Sequence, residues 1–406
     1  MVDAPGIDVV VVHLVNHPVH YLELREVPGC LLAGGQGPRR GVEVDLQAVF
    51  NRPTKGNGER RKHDDQTKQG LPESSHSIFG GARRGGRPLS VTSLASQANC
   101  ARSICKELRN SGERAWVVGG CVRDTLRGER VNDWDVATTA LPEKVKRIFH
   151  KVIPTGIDHG TVTVLWKGEA YEVTTLRGEG TYTDGRRPDS VVFVEDIDRD
   201  LARRDFTVNA IAYDPVDGHI ADPFDGLGDM RSKVLRAVGD PNERFQEDGL
   251  RILRGARFVA TLGFELEEAT EAAFRGALNT LQKVSPERVR DEWMKAMKAN
   301  TPSRAFEVMR RTGILEVTYP ELLEQVGCEQ NQWHAYDVWG HTMRVLDESV
   351  GGPIERIAAL LHDVAKPRTR AKSDKTNDWT FYHHEKVGAD MAERWLREYR
   401  FSNQER

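Results

Sequence analysis

The segment NDWDVATT places Asp133 and Asp135 two residues apart, on either side of Trp134. Along a strand, side chains at i and i+2 share a face. Both carboxylates therefore project together, and Trp134 turns the other way, into packing. Adjacent carboxylates repel unless a cation lies between them, and a divalent metal working on phosphate is the common resolution. Taken alone, such a pair is more often two solvated strand-end aspartates. Its neighbours shift the balance. Gly119 and Gly120 follow the strand-like AWVV and precede the helix-like CVRDTL. Glycines in that setting let backbone N–H groups approach a phosphate at a helix N-terminus, although a plain tight turn is the simpler account. Arg123 lies one short step further on and could reach the same anion. Glu172, in AYEVTTL, is a candidate third carboxylate and reads equally well as an exposed strand glutamate.

These residues need elements to position them. SLASQANCARSICKELRNSG has apolar residues at helical spacing and closes at Gly112. AWVV reads as a buried strand, VNDWDVATT as a second, and LPEKVKRIF as a helix with Pro142 in its first turn. GTVTVLW and AYEVTTL alternate across KGE, which predicts a hairpin. From about Pro241 the periodicity is helical to the end.

Length and composition bound the setting. A chain of 406 residues suffices for two or more domains. With 38% hydrophobic residues and a net charge of −3, it reads as soluble and globular. A balanced total neither supports nor excludes nucleic acid, because a basic groove can hide inside it. The five cysteines (Cys30, Cys100, Cys105, Cys121 and Cys328) form no CxxC pair. Neither a zinc ribbon nor a disulfide framework is indicated, which fits a cytoplasmic protein. No run is long and apolar enough for a membrane span, and VVVVHLV lacks the basic flank of a signal peptide. Residues 1–90, rich in Gly, Arg, Pro and polar side chains, show no sustained period. They read as a disordered extension, with a basic RNA-binding arm as the alternative.

GGCVRDTLRGERVNDWDVATT resembles the signature of the class II nucleotidyltransferases, the CCA-adding enzymes of tRNA and the bacterial poly(A) polymerases. RRDFTVNA (203–210) resembles that family's ribose-recognition motif, and RFQEDGLRILRGARF (244–258) its nucleobase-reading motif. The motifs fall in the family's order from about residue 110 onward. The resemblance implies that Asp133 and Asp135 hold two Mg²⁺ ions for a nucleotidyl transfer, while Glu172 stays a candidate third catalytic carboxylate. It implies that Gly119, Gly120 and Arg123 serve the NTP phosphates, and that Arg204, Asp205 and Asn209 lie near the sugar. The substrates would be CTP and ATP, and the partner tRNA, gripped mainly by its backbone. The implied fold is α+β. A catalytic head over 91–236 carries a mixed five-stranded sheet with flanking helices. An all-helical neck and body follow over 237–330, then a partial HD domain over 331–406.

EDGLR adds a physical argument about selectivity. Asp248 and Arg251 are three residues apart on a predicted helix and so share a face, while Leu250, Leu253 and Ala256 fall on an apolar side. The pair offers one acceptor and one donor. Cytosine and adenine each show an exocyclic amine beside an acceptor nitrogen; uracil and guanine show a carbonyl beside an N–H. A carboxylate next to a guanidinium therefore accepts C and A and rejects U and G. Without the family context an i,i+3 ion pair on a solvated face is the commoner reading. The resemblance assigns the template role to Asp248 and Arg251, with Arg254 as a further neighbour. Gly249 stands where Pro or Ala is frequent in the family, so a looser turn is expected there.

IPTGIDHGTVTVLWKGEAYEVTTLR is similar to CCA-adding enzymes and lacks the arginine-rich character of poly(A) polymerases at this place. GEGTYTDGRRPDSVVF (178–193) resembles the family's flexible loop, which CC-adding specialists largely lack; its glycines and DGRRP suit a mobile basic lever. CCA addition is therefore the leading reading, with an A-adding enzyme or poly(A) polymerase next. DVWGHTMRVLD, ALLHDVAKP and FYHHEKVGADM resemble an HD domain, with His341, His362 and Asp363 at the metal-ligand places. His383 stands where Gly is usual. The chain stops inside the amphipathic ADMAERWLREYRFSNQER. The last ligand and the tRNA-gripping tail are thus expected to be missing, and these residues to be structural. An HD-type phosphohydrolase and an inactive RNA-binding fragment are the readings from other classes. The intact Asp133, Asp135, Asp248 and Arg251 argue against both. No pattern speaks to oligomeric state.

Overall fold

In chain order the elements begin with α1 (Val91–Gln97), α2 (Asn99–Asn110), β1 (Ala115–Val118), α3 (Gly120–Leu126), β2 (Asp135–Thr138) and α4 (Pro142–Ile148). Then come β3 (Val152–Gly156), β4 (Thr161–Trp166), β5 (Glu169–Thr175), α5 (Ile197–Ala202), β6 (Ala212–Tyr213) and β7 (Ile220–Ala221). The computed structural model describes Leu89 and residues 91–178, 192–332 and 334–406. Apart from Leu89, the extension read over 1–90 lies outside the described residues, as does most of the loop read over 178–193.

The β4–β5 hairpin forms as the alternation predicts. Lys167 and Gly168 both take positive φ, 53° and 92°, the two-residue turn whose twist suits a hairpin. Val162, Val164, Tyr171 and Val173 point inward and are buried. α2 and α4 cover this face, where Phe149 meets Trp166 edge-on at 5.3 Å and the Trp166 indole N–H donates to Ser103 Oγ at 2.9 Å. The strand order is β3-β4-β5-β2-β1-β6-β7. β2 and β5 are parallel and the other pairs antiparallel. The mixed sheet therefore has seven strands, where five were expected. β6 and β7 are two residues each, too short to leave a period-2 signal. α5 packs Ile197 and Leu201 over Trp116, Val118, Ala137 and Ala212 on the second face, whereas Ile153 of β3 and Leu165 of β4 on that face are exposed.

The remainder is α6 (Gly226–Ser232), β8 (Val234–Leu235), α7 (Pro241–Glu247), α8 (Leu250–Leu262), β9 (Glu265–Leu266), α9 (Glu268–Gly276), α10 (Leu278–Leu281), α11 (Pro286–Ala296), α12 (Ser303–Thr312) and α13 (Ile314–Thr318). It ends with α14 (Val338–Glu348), α15 (Pro353–Leu361), α16 (Lys366–Thr369), β10 (Ala371–Lys372), β11 (Trp379–Thr380) and α17 (His384–Glu398). The expected all-helical character holds apart from the short pairs β8–β9 and β10–β11. Phe206 from the head touches Phe245 and Phe258 from α7 and α8, with ring centroids 6.1 and 5.8 Å apart. A Cβ on Gly255 would lie 2.5 Å from the Phe274 ring, so α8 needs a glycine there to seat against those aromatics. At the far end, Trp395 of α17 stacks near Trp293 at 4.8 Å, and Trp395 Nε1 and Tyr399 OH both donate to the Thr318 carbonyl. The last helix is thus built into the core shared by α11 and α13. Among the described residues no helix is long and apolar enough to cross a membrane.

Candidate active site

β2 begins at Asp135, and Asp133 lies in the extended approach to it. The alternation read from the sequence holds: Trp134 and Val136 are buried, and Asp133 and Asp135 are exposed. The parallel register sets Asp135 directly opposite Glu172 of β5, although the oxygens of Asp133, Asp135 and Glu172 do not all come within 4.8 Å of one another. One edge of Asp135 is open to water. Even so, the protein around its carboxyl and then the charge of Glu172 push its pKa up to about 6, with Asp133 adding to the rise and Arg204 opposing it. A carboxyl that keeps its proton so long beside two others is a place short of positive charge. Its hard oxygen donors suit a divalent cation such as Mg²⁺.

Gly119 ends β1 with φ of 78°, a region that side chains rarely adopt. A Cβ there would lie 2.9 Å from Arg204 Nη1 and 3.9 Å from Asp135 Oδ2. The bare glycine lets the Arg204 guanidinium rest against this loop beside Asp135. Gly120 then opens α3, and Arg123 is buried on that helix. Arg123 Nε and Nη2 donate to the two oxygens of Asp124 at 2.8 and 2.6 Å, and its Nη1 donates to Asn209 Oδ1. Asn209 Nδ2 donates to Asp205 Oδ1 at 2.9 Å, and Arg254 donates to Asp205 Oδ2 through Nε and Nη2 at 2.7 and 2.6 Å. Burial opposes the charge of Asp205, but Arg254 and the Asn209 amide hold its carboxyl well below the usual carboxylate range. A single chain of contacts thus links the glycine-loop helix, the ribose-type motif and α8.

The sequence reading missed Asp200. It is buried, accepts from Arg203 Nη2 at 2.6 Å and Arg204 Nη2 at 3.1 Å, and also accepts the Arg177 backbone N–H at 3.0 Å. Its i,i+3 and i,i+4 spacing to those arginines was the available signal.

The helix proposed to carry both Asp248 and Arg251 is broken between them. α7 stops at Glu247, Asp248 is extended with φ of −146°, and α8 starts at Leu250. Asp248 Oδ1 accepts the Leu250 N–H at 3.0 Å, and Oδ2 accepts from Arg288 of α11 at 2.8 Å. Arg251 Nη1 bonds Glu247 Oε2 at 2.5 Å and the Arg244 carbonyl at 2.8 Å, and its Nη2 bonds the Arg203 carbonyl at 3.0 Å. The two do not pair with each other; capping of α8 by Asp248 and the distant Arg288 replace the i,i+3 contact. Nor is the turn at Gly249 loose. A Cβ there would come within 2.2 Å of Leu281 N, so only glycine lets α10 approach so closely.

Asp248 and Arg251 nonetheless both line one cleft of about 550 Å³ with Gly119, Gly120, Arg123, Asp135, Arg204, Asp205, Asn209 and Arg254. Nine basic side chains and three carboxylates line it, Arg288 and Lys295 among the basic ones. That excess suits a polyphosphate. Phe258 also lines it, with Arg123, Arg254 and Arg257 within 5.2, 5.5 and 3.9 Å of its ring centre.

A second cluster lies in the HD-like region. Among the described residues only His341, His362 and Asp363 bring three potential ligand atoms within 4.8 Å of one another. His362 Nε2 is 2.9 Å and His341 Nε2 3.5 Å from Asp363 Oδ2. Lys366 Nζ stands 2.8 Å from the same oxygen, and His384, which the sequence reading passed over, is 3.6 Å from Asp363 Oδ1. Burial pushes His341 down to about 4, which keeps it neutral near pH 7. His383 caps α17 with φ of 64°, a left-handed conformation that accounts for a glycine being usual there.

Three family models match the chain: a poly A polymerase head domain over residues 115–236, a probable RNA and SrmB-binding site of polymerase A over 263–325, and an HD domain over 338–405. Over 257 residues the chain is 44% identical to a CCA-adding enzyme of Lactobacillus johnsonii, covering 60% of this chain and 64% of that one. It therefore spans just under two thirds of that relative's length. A CCA-adding enzyme of Bacillus stearothermophilus, solved with CTP, is 31% identical with a TM-score of 0.50, covering 75% of this chain and 82% of that one. A Thermotoga maritima CCA-adding enzyme solved with tRNA shares the fold at 22% identity, with a TM-score of 0.55 over 78% of this chain and 70% of that one.

Proposed function

Because the chain belongs to the family that unites the CCA-adding enzymes with the poly(A) polymerases, we propose that it adds CCA to the 3′ end of tRNA from CTP and ATP. The observation that carries this reading is the cleft that places Asp135 on one wall and Asp248 with Arg251 on another. Chemistry at a phosphate and selection of a base thus share one space.

In this reading Arg204, expected near the sugar, is reassigned: seated against Gly119 beside Asp135, it faces the incoming phosphates together with the opening turn of α3. Arg123 is held by Asp124 and Asn209. It shapes the cleft floor and adds charge to it. Asp205 and Asn209, locked to each other and to Arg254, form the rigid bed for the sugar. Asp248 accepts from an exocyclic amine while Arg251 donates to the neighbouring ring nitrogen, the pattern that C and A satisfy and U and G do not. Two Mg²⁺ ions, which Asp133 and Asp135 would hold with Glu172 alongside, supply activation of the RNA 3′-hydroxyl and neutralisation of the phosphate charge. The protein's share is positioning and electrostatics.

The test is incorporation on a tRNA transcript ending at its discriminator base, with Mg²⁺ and each NTP alone and together. Addition of two C and one A, then a stop, is expected. A added only to a transcript already ending in CC would replace this reading with an A-adding specialist, and a long A tract with a poly(A) polymerase. No incorporation would overturn the transferase reading. Asp135→Ala should abolish addition.

A further inference from the structure

We propose that the open face of β4 and β3 beside Glu172 seats the terminal nucleotide of the acceptor RNA. The proposal rests on the reading that this chain extends an RNA 3′ end.

The sheet register makes one continuous row. Asp135 pairs with Glu172, Glu172 with Thr163, and Thr163 with Ile153. Directly paired residues share a face, so this row runs from the carboxylates to the edge strand, about 14 Å over three strand spacings. The face is chemically distinct from the cleft. Thr155 and Thr163 share a hydroxyl–hydroxyl hydrogen bond of 3.0 Å. Ile153 is 46% and Leu165 39% exposed, while Val162 and Val164 of β4 are fully buried facing the other way. No residue of β3, β4 or β5 lines the basic cleft. Asp135 therefore stands between a cationic cleft and a largely uncharged platform.

Phosphoryl transfer supplies the assignment. The nucleophile and the departing pyrophosphate lie roughly in line, on opposite sides of the phosphorus. If the triphosphate fills the basic cleft, the 3′-hydroxyl enters from the other side of the carboxylates, which is this row. Its chemistry suits the task. The end to be extended carries a different base at each round, and threonine hydroxyls with aliphatic side chains can hold a ribose and a base face without reading the base edge. Lys151, exposed just ahead of β3 and hydrogen-bonded through its carbonyl to the Leu165 N–H, adds a positive charge at the far end, where preceding phosphates would lie.

Two measurements test the proposal. A benzophenone amino acid at position 153 should photocrosslink to the last two nucleotides of a tRNA transcript ending in CC. The same probe at Val350, 92% exposed on the loop after α14, should not. In steady state, Ile153→Asp should raise the KM for tRNA about tenfold, as a like charge beside phosphate demands, while the KM for CTP and the Tm stay close to wild type. Thr163→Val should move the same parameter in the same direction. Unchanged tRNA KM in both variants, or crosslinks mapping away from the 3′ end, would overturn the proposal. Crosslinking needs no turnover. Specific 3′-end crosslinks from a wild-type background that adds no nucleotide would therefore uphold the seat and refute the transferase reading alone.

Discussion

Asp135→Asn should make the protein more stable while removing its activity. The native carboxyl keeps its proton to about 6, against an ordinary 3.8, because burial and Glu172 oppose its charge. The folded state therefore binds that proton more tightly than the unfolded chain. The contribution of this group is most favourable below about pH 4, falls as pH rises from 3.8 toward 6, and stays level above that. A shift of roughly two units corresponds to about 3 kcal/mol at face value. Asp135 is open to water on one side, and screening reduces this to about 1 kcal/mol. Asparagine keeps the shape without the charge. At pH 7.5 the variant should gain about 1 kcal/mol, a rise of roughly 2–4 °C in Tm, and the gap should close near pH 4. Calorimetry at several pH values, with and without Mg²⁺, reads both effects. Mg²⁺ should raise the wild-type Tm more than the variant's. A variant no more stable than wild type at pH 7.5, or a gap independent of pH, would refute the crowded-carboxylate argument. Equal Mg²⁺ stabilisation of both would refute the metal assignment.

Other perturbations probe the supporting structure. Arg254→Ala strands Asp205 as a buried charge and should cost about 3 kcal/mol in urea unfolding; Arg254→Lys should restore part of it. Gly249→Ala drives a Cβ to within 2.2 Å of Leu281 N. It should cost about 1–3 kcal/mol and lower kcat/KM for CTP, since Asp248 and Leu250 flank the displaced residue. His383→Gly relieves a left-handed φ of 64° and should stabilise by about 1 kcal/mol, measurable as a higher Tm with nucleotide addition unchanged.

The features legible in the sequence are local ones. Alternation fixes the β4–β5 hairpin because its turn and both strands are contiguous. The inward Trp134 between outward aspartates needs nothing beyond strand geometry. What sets Glu172 beside Asp135 is a parallel pairing between β2 and β5, which no spacing between those positions encodes; the glutamate could be named as a candidate but not placed. The break at Asp248 was hidden for a related reason. Phe245 before the break and Leu250, Leu253 and Ala256 after it are all buried, so the apolar spacing carries no mark of the interruption. The cause lies in the backbone at Thr280–Leu281 pressing on Gly249 and in Arg288, 40 residues on, taking Asp248 Oδ2. His384 escaped notice because its approach to Asp363 depends on where α17 docks, which the HHE triplet does not reveal.

The contacts between head and neck carry a constraint on how a base can be chosen. Arg254 of α8 is bound to Asp205, Asp205 to Asn209, and Asn209 to Arg123. Each link joins charged or amide groups that are buried or half-buried, and a half-broken network of that kind costs more than no network at all. α8 therefore cannot slide against the ribose-type motif to suit a larger or smaller base. If C and A are both accepted here, the difference in size must be absorbed by the side chains of Asp248 and Arg251. These two can exchange partners, since Asp248 is tied to Arg288 and Arg251 to Glu247 through side-chain contacts that a base edge can displace. Selectivity then resides in two movable side chains mounted on a frame that does not move. Loosening the frame at Arg254 should weaken the use of CTP and ATP together, whereas altering Arg251 should change the ratio of either to UTP.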